Sequence, residues 1–249
     1  MHRTHFPTMG TIASLTVAAH VDPALAETAA HVLRTSLAAD ERRFSHYRAD
    51  SDITRWLAGE DVGLEAAVEL EDVFDACIAL QAESAGAFTV ADPRTGAIDT
   101  AGYVKGYAIG KAVEAIRACG VVDFTVNVGG DSFSSGSPSS TRPWRVAIAD
   151  PTRPRAIAAV VDAADMAVAT SGTAERGHHI WLHTGVTRSD LRSFTVIGPD
   201  IALADAYATI GFAMGVEGMA WVARHPGYSS LVVDIDGRVM SDAALVSAA

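Results

Sequence analysis

The stretch GYVKGYAIGKAVEAIRACG, residues 102–120, and the segment FTVNVGGD that follows at 124–131 decide the fold class of this chain. The first has apolar residues at helical spacing and closes on Gly120, a residue type that often caps a helix C-terminus. The second is a short apolar strand that runs into a glycine pair, and by itself this pattern indicates a plain sharp turn. The sequence therefore predicts a helix, then a strand, then a turn.

The same patterns predict strands and helices on both sides of this stretch. An alanine-rich helix begins near Pro23, whose fixed φ suits a first helical turn. The order mixes hairpin-like neighbours with strand–helix–strand passages, which favours an α+β fold with a largely antiparallel or mixed sheet flanked by helices. Neither a repeat nor a linker marks independent units, so we predict a single domain over residues 1–249. The predicted strands are 11–21, 144–150, 156–162, 166–170, 179–183, 192–198 and 229–235, the further helices are 23–48, 65–85 and 201–215, and 132–143 is predicted to be a Ser/Pro/Gly-rich loop.

Composition and charge limit the classes of function. The chain has 249 residues, 49% of them apolar, which is enough for a sizeable core. Its formal net charge of −11 repels nucleic acid and anionic membrane, so we expect no nucleic-acid partner. No apolar stretch approaches the roughly 20 residues that a membrane-spanning helix needs, and the N-terminal residues show no secretory signal. We therefore expect a cytoplasmic protein without stable membrane insertion, in which Cys77 and Cys119 are reduced thiols in helical segments.

The segment DTAGYVKGY, residues 99–107, has the features of an anion-binding helix entrance. Asp99 stands where a side-chain oxygen can cap a helix, and Lys105 is expected in the first turn. Gly102 and Gly106 permit close approach to the backbone, so free N–H groups and the lysine ammonium could hold a phosphate or a ribose. The alternative is an ordinary capped helix with a solvated lysine. The spacing of a P-loop is absent.

A second segment, ADAYAT at 204–209, carries a possible metal site. Asp205 and Thr209 are four residues apart and lie on one face of the predicted helix. A carboxylate and a hydroxyl are hard oxygen ligands that suit Mg²⁺, which keeps several waters and bridges substrate phosphates. The alternative is that Asp205 caps the helix and Thr209 packs.

Histidines crowd a third segment, VATSGTAERGHHIWLHTG at 168–185. His179 and His183 have the spacing of a zinc pair, but no glutamate completes the HExxH pattern, and a strand would hold the two rings far apart. A histidine that titrates near neutrality and removes a proton from a hydroxyl group is the interpretation we favour.

The order of these motifs along the chain resembles that of the ApbE-type FAD:protein FMN transferases over residues 9 to about 235. The resemblance rests on many short motifs in one order, and chance agreement of that kind is implausible. The motifs are Met9-Gly10-Thr11, Glu41-x-x-Phe44-Ser45-x-Tyr47-Arg48, Ser51-Asp52-Ile53, Gly86-Ala87-Phe88, Asp99-x-x-Gly102-x-x-Lys105-Gly106-Tyr107-Ala108, Asn127-Val128-Gly129-Gly130-Asp131, Trp144 with Asp150-Pro151, Ala169-Thr170-Ser171-Gly172, Glu175-Arg176 and Asp205-Ala206-x-x-Thr209.

The resemblance implies two intertwined T-fold-like halves with FAD held between them, and a set of site residues. It also implies Mg²⁺-dependent transfer of FMN from FAD to a Thr or Ser hydroxyl of a client protein, with AMP as the leaving group. His178 or His179 is the candidate base, since the motif can be aligned on either, and Asp205 is the second candidate. The implied contacts to FAD are Met9, Tyr47, Ala87, Phe88, Thr89, Asp99, Lys105 and Ile180, and the implied Mg²⁺ ligands are the Gly102 carbonyl, Asp205 and Thr209.

Two alternatives to a transferase stay open. The segment HHIWLHTG lacks the Asp-Pro that the family commonly has there, and Gly110 replaces a usual acid, which would suit a degenerate module that only binds FAD. A pyrophosphatase, in which water replaces the client hydroxyl and FAD yields FMN and AMP, is the other.

Overall fold

The structure of the chain is a computed structural model that describes residues 1–92, 95–172 and 190–244. Its strands and helices follow one another with short connections. The strands are β1 (His2–Thr8), β2 (Thr11–Val17), β3 (Phe124–Val128), β4 (Asp131–Ser135), β5 (Trp144–Ala149), β6 (Ile157–Ala163), β7 (Met166–Gly172), β8 (Leu191–Gly198), β9 (Ser229–Asp234) and β10 (Val239–Ser241). The helices are α1 (Pro23–Phe44), α2 (Asp52–Leu57), α3 (Leu64–Glu83), α4 (Ala101–Ala118), α5 (Ile201–Met214) and α6 (Glu217–Val222).

Eight of these strands form one sheet in the order β1-β2-β3-β4-β7-β8-β9-β10. Every neighbouring pair in it is antiparallel. The sheet consists of two halves with the same chain order, each made of two strands, then helices, then two more strands, and β4 and β7 join the halves. The predicted α+β class with a largely antiparallel sheet is confirmed.

The two faces of the sheet are covered by different elements. Alternate side chains of a strand point to opposite faces. Ala167 and Val196 therefore pack into the large core with the helices, on what we call the helix side. Val168 and Ile197, one residue further along, pack into a smaller cluster with Val161 of the β5–β6 hairpin, on what we call the hairpin side.

The core of the helix side holds helices α4 and α5 against both halves of the sheet. Ile109 of α4 and Ile210 of α5 are fully buried there, together with Phe124 of β3 and Phe194 of β8. Burial of aliphatic and aromatic side chains of this size contributes about 1.5–3 kcal/mol each relative to exposure. The two helices are thereby fixed relative to each other and to the sheet, which positions the site described below.

Several predicted boundaries were wrong. The segment 132–143, predicted to be a loop, begins with β4, whose polar side chains are buried in the middle of the sheet. Strand β1 and the short elements α2, α6 and β10 had not been predicted. The predicted strand 11–21 ends at Val17 and the helix 23–48 ends at Phe44. The strand predicted at 179–183 lies outside the described residues. Within the described ranges, no helix combines the length and apolarity that crossing a bilayer requires.

Candidate active site

Helices α4 and α5 touch at Gly106. A Cβ atom on this glycine would lie 2.5 Å from the Ile201 carbonyl oxygen and 2.8 Å from Asp205 Cβ, so only glycine allows the helices to approach this closely. The Gly106 N–H donates a hydrogen bond of 2.8 Å to Asp205 Oδ2. In a regular helix this N–H would donate to the Gly102 carbonyl. The Gly102 carbonyl must therefore share the Gly106 N–H with Asp205, and its oxygen keeps a lone pair for another partner.

Lys105 lies between two buried carboxylates. Its Nζ is 2.5 Å from Asp131 Oδ2 and 3.4 Å from Asp205 Oδ1. Asp131 is fully buried, Asp205 is 2% exposed, and the lysine side chain is 16% exposed. Asp131 is held in turn by the Thr170 N–H, which donates to Asp131 Oδ1 at 2.8 Å. One ammonium group thus faces two carboxylates, which leaves the cluster with a formal charge of −1 when all three groups are ionised.

The pKa of Asp205 reflects this crowding of charge. Burial is the main cause that raises the pKa of Asp205 to about 7; the Lys105 ammonium opposes this shift, and the nearby carboxylate of Asp131 adds to it. A carboxylate that is costly to ionise in this environment would be stabilised by a second cation beside it. The Asp205 side chain is therefore suited to act as a ligand of a cation.

Thr209 lies one helical turn beyond Asp205 on the same face of α5. Its Oγ1 is 3.2 Å from Ser171 Oγ of β7. A Cβ atom built on Gly102 would lie 3.5 Å from Thr209 Cγ2, so the first turn of α4 is in contact range of this threonine. The Asp205 carboxylate and the Thr209 hydroxyl thus lie beside the part of α4 that carries the Gly102 carbonyl, and the chemistry of this mixed oxygen set fits Mg²⁺. In the part of the chain that the structure describes, no group of three or more His, Cys, Asp or Glu side chains could hold a metal ion. The mixed oxygen set is of another kind, because only one of its three members is such a side chain.

The first turn of α4 departs slightly from the prediction. The helix begins at Ala101, with Thr100 as its N-cap, so Lys105 starts the second turn rather than lying in the first. Asp99 Oδ1 accepts a hydrogen bond of 2.9 Å from the Ala101 N–H. His46 Nε2 lies 3.1 Å from Thr100 Oγ1, and burial lowers the pKa of this histidine although Asp99 opposes the shift. His46 is a neighbour of the site that the sequence did not suggest.

Gly102, Lys105, Asp205 and Thr209 line a cavity of about 320 Å³ that is open to solvent. Its wall comes from the helix side, from the β3–β4 turn and from the β5 strand of the hairpin side. A cavity of this kind, with mostly small and apolar walls and a few charged groups, is typical of a site for a small molecule. The lining residues are Ala87, Phe88, Thr89, Ala91, Asp92, Asp99, Ala101, Gly102, Lys105, Asn127, Gly130, Val146, Ala147, Ile148, Ala149, Pro151, Val168, Thr170, Ser171, Gly172, Arg192, Ser193, Asp205 and Thr209.

Most of the predicted site residues meet in this cavity. The ones that line it are Ala87, Phe88, Thr89, Asp99, Gly102, Lys105, Asp205 and Thr209. Met9 and Tyr47 do not: Met9 is in the β1–β2 turn, where its N–H donates to Glu41 Oε2, and Tyr47 is 97% exposed after α1. His178, His179 and Ile180 lie outside the described residues.

Other contributors were not predicted as site residues. Asp131 directly follows the glycine pair that we interpreted as a plain turn. An acidic residue at this position was the signal that could have indicated a site residue. Thr170 and Ser171 belong to the Ala169-Thr170-Ser171-Gly172 motif of the resemblance, but no role in the site was predicted for them. The β5 wall, which includes Val146 and Ile148, carries no polar motif, so its role depends entirely on where the hairpin packs.

Comparison with known proteins agrees with this architecture. A model of the ApbE family matches residues 90–232, more than half of the chain. The FAD:protein FMN transferases of Salmonella typhimurium and Escherichia coli K12 are 30% and 31% identical to this chain over 151 residues. Each match covers 56% of this chain and 43% of the relative, so the chain spans less than half of the length of these relatives.

Two solved structures are similar over nearly the whole chain. The apo form of the flavinyl transferase ApbE from Pseudomonas stutzeri has a TM-score of 0.77 at 21% identity, over 96% of this chain and 94% of that chain. The ApbE protein from Thermotoga maritima has the same TM-score and identity, over 96% of both chains. At such identity the likeness concerns the fold. The matched family model and the shared fold bear out the resemblance found in the sequence, and the chain belongs to the ApbE family.

Proposed function

We propose that this protein transfers FMN from FAD to a threonine or serine hydroxyl of a client protein, in the presence of Mg²⁺, and releases AMP. The observation that supports this most directly is the meeting of Lys105, Asp205 and Thr209 in one cavity. The relatives in Salmonella typhimurium and Escherichia coli are named for transfer of FMN from FAD to protein.

The charges in the cavity suit a diphosphate only if a cation accompanies it. The chain has a net charge of −11, and two buried carboxylates stand beside the one ammonium of Lys105. A dinucleotide brings two more negative charges. Asp205, Thr209 and the Gly102 carbonyl are the residues that would hold Mg²⁺, and when bound the ion would offset the charge on the diphosphate oxygens as the anhydride bond breaks.

The protein groups have separate parts in the reaction. The Lys105 ammonium binds a phosphate oxygen, and its ion pair with Asp131 fixes the direction of the side chain. The N–H groups of Ala101 and Tyr103 in the first turn of α4 already donate to Asp99 Oδ1 and to the Thr100 carbonyl, so the start of this helix favours an anion mainly through the helix dipole. The client hydroxyl oxygen forms a bond to the FMN phosphorus, the phosphoanhydride bond to AMP breaks, and AMP leaves with the electron pair. The hydroxyl proton passes to a base, for which His178 or His179 is the candidate and Asp205 the second.

The test uses the pure protein with FAD, Mg²⁺ and a panel of short peptides that carry a central threonine or serine, each with an alanine counterpart. We expect hydroxyl peptides only to gain the mass of FMN less one water, with one AMP released per adduct. FMN and AMP formed at a comparable rate without any peptide would instead identify a pyrophosphatase. Tight FAD binding with neither product would identify a binding module. The cytoplasmic location expected from the sequence is a separate proposal, which fractionation of the source cells would test.

A further inference from the structure

Strand β8 changes the direction of its side chains at Arg192. Leu191 and Ser193 pair with consecutive residues of β9 although they are two positions apart in β8, so Arg192 is the extra residue of a β-bulge. Without it, Leu191 and Ser193 would face the same side of the sheet. Leu191 packs in the helix-side core. Ser193 faces the same side as Ile197, four residues further along β8, and Ile197 packs in the hairpin-side cluster. The bulge therefore turns Ser193 to the hairpin side, as bulges beside functional sites commonly do.

Among the described residues, the Ser193 hydroxyl has no hydrogen-bond partner. Ser193 is 4% exposed, and its Oγ makes no hydrogen bond among the described residues. The next side chain on the same face, Thr195, differs because its Oγ1 lies 2.9 Å from Thr170 Oγ1. Of the buried side-chain atoms without a hydrogen bond in the described ranges, only Ser193 Oγ belongs to a residue that lines the cavity. A buried hydroxyl is rarely left unpaired, so this one points to a ligand.

The walls around Ser193 indicate what kind of ligand that is. Gly172 is the cross-strand neighbour of Ser193 in β7. A Cβ there would lie 2.5 Å from the Arg192 carbonyl oxygen, so no side chain can cover the serine from that strand. Val168 of the sheet and Ile148 of the hairpin add apolar surface to a cavity wall that Thr170 also lines. Apolar surface with a few polar groups suits a flat ring that has hydrogen-bonding atoms at its edge.

We infer that Ser193 forms a hydrogen bond with the edge of a heteroaromatic ring of the bound dinucleotide, and that this ring lies between the sheet and the β5–β6 hairpin. The inference rests on the proposed function for the identity of the dinucleotide. Adenine and isoalloxazine share the necessary chemistry. The diphosphate lies at the charged cluster, so only one of the two rings occupies the hairpin side.

The experiment compares the wild type with Ser193→Ala, using Mg²⁺ and four probes: FAD, FMN, AMP and inorganic pyrophosphate. Dissociation constants come from titration calorimetry, and melting temperatures are measured with and without each probe. Ser134→Ala is the matched control, because the Ser134 hydroxyl is also buried but is paired with Thr125 Oγ1 at 3.1 Å and does not line the cavity.

We expect Ser193→Ala to weaken FAD binding about fivefold to tenfold. The same loss should appear with AMP or with FMN, which identifies the ring, and pyrophosphate binding should be unchanged. The melting temperature without ligand should not fall, because an unpaired hydroxyl is removed. Ser134→Ala should lower the melting temperature and leave all affinities unchanged.

Unchanged FAD affinity in Ser193→Ala, or an equal loss with pyrophosphate, would overturn the inference. Because binding is measured, a protein that binds FAD through Ser193 but modifies no peptide would contradict the proposed transfer alone.

Discussion

At the scale of single residues, Lys105 and Lys111 provide a controlled comparison. Both are on α4 and both pair with a buried aspartate, Lys105 with Asp131 and Lys111 with Asp40 at 2.7 Å. Only Lys105 lines the cavity. We expect Lys105→Met to raise the dissociation constant for FAD about tenfold or more, because a charge-assisted hydrogen bond to phosphate is lost and two carboxylates remain. Lys111→Met also removes one positive charge and should leave the dissociation constant for FAD unchanged. Flavin fluorescence titration measures both, and equal losses would mean that net charge alone controls binding.

The two cysteines should differ sharply in reactivity. Cys77 is buried in α3, and burial, with a smaller effect of Asp99, raises the pKa of its thiol to about 12. The thiolate is the reactive form, so this group should resist alkylation at pH 8. Cys119, at the end of α4, is only half-buried. We expect iodoacetamide to modify Cys119 in the folded protein and Cys77 only after unfolding, as measured by peptide mass spectrometry. Rapid labelling of Cys77 in the native state would contradict the packing of α3.

At the scale of elements, the contact of α4 with α5 depends on a single glycine. Gly106→Ala would force a Cβ to 2.5 Å from the Ile201 carbonyl, so α5 must move and take Asp205 with it. We expect a loss of about 1–3 kcal/mol in the free energy of unfolding, and loss of Mg²⁺-dependent activity.

The control for that variant is Gly110→Ala, one turn further along the same helix. A Cβ there meets only Ile201 Cγ2, at an ordinary 3.5 Å. Alanine should therefore stabilise the helix by about 0.5–1 kcal/mol and leave activity intact. Denaturant unfolding measures both variants. If Gly106→Ala behaved like Gly110→Ala, the close approach of the helices would be wrong.

The elements also show where prediction from sequence stops. Helices α3, α4 and α5 were predicted nearly to the residue, because their apolar spacing is local information. Strand β4, with the sequence DSFSS, was missed because serine favours turns, and only its position between β3 and β7 buries it. The bulge at Arg192 is likewise invisible in the sequence, because it depends on the register with β9.

At the scale of the whole molecule, the site exists only because distant segments meet. Asp99 and Lys105 stand about one hundred positions before Asp205 and Thr209, and neither helix alone carries a specific signal. The resemblance to a family predicted that they form one site, and the packing of α4 on α5 gives the physical reason. The ion pair of Lys105 with Asp131 could not be predicted, because it requires the turn between β3 and β4 to face the helix.

The prediction of a single domain over residues 1–249 can be tested by unfolding. The helix-side core includes Leu15 and Phe124 from one half of the sheet and Phe194 and Val232 from the other. A shared core predicts one cooperative transition, with coincident changes in tryptophan fluorescence and circular dichroism. FAD with Mg²⁺ at about one hundred times its dissociation constant should raise the free energy of unfolding by about 2.7 kcal/mol. Two separate transitions would indicate independent halves.

We propose that Asp205 completes a cation site beside the diphosphate of FAD, and the variant Asp205→Asn probes this site. Asparagine keeps the shape and can still accept the hydrogen bond from the Gly106 N–H, so the fold should persist. The measurement is the rate of covalent FMN attachment to an acceptor peptide as Mg²⁺ is varied. We expect the rate to fall about 100-fold or more, and added Mg²⁺ to restore it only partly. A variant that transfers FMN at the wild-type rate with the wild-type Mg²⁺ dependence would contradict it.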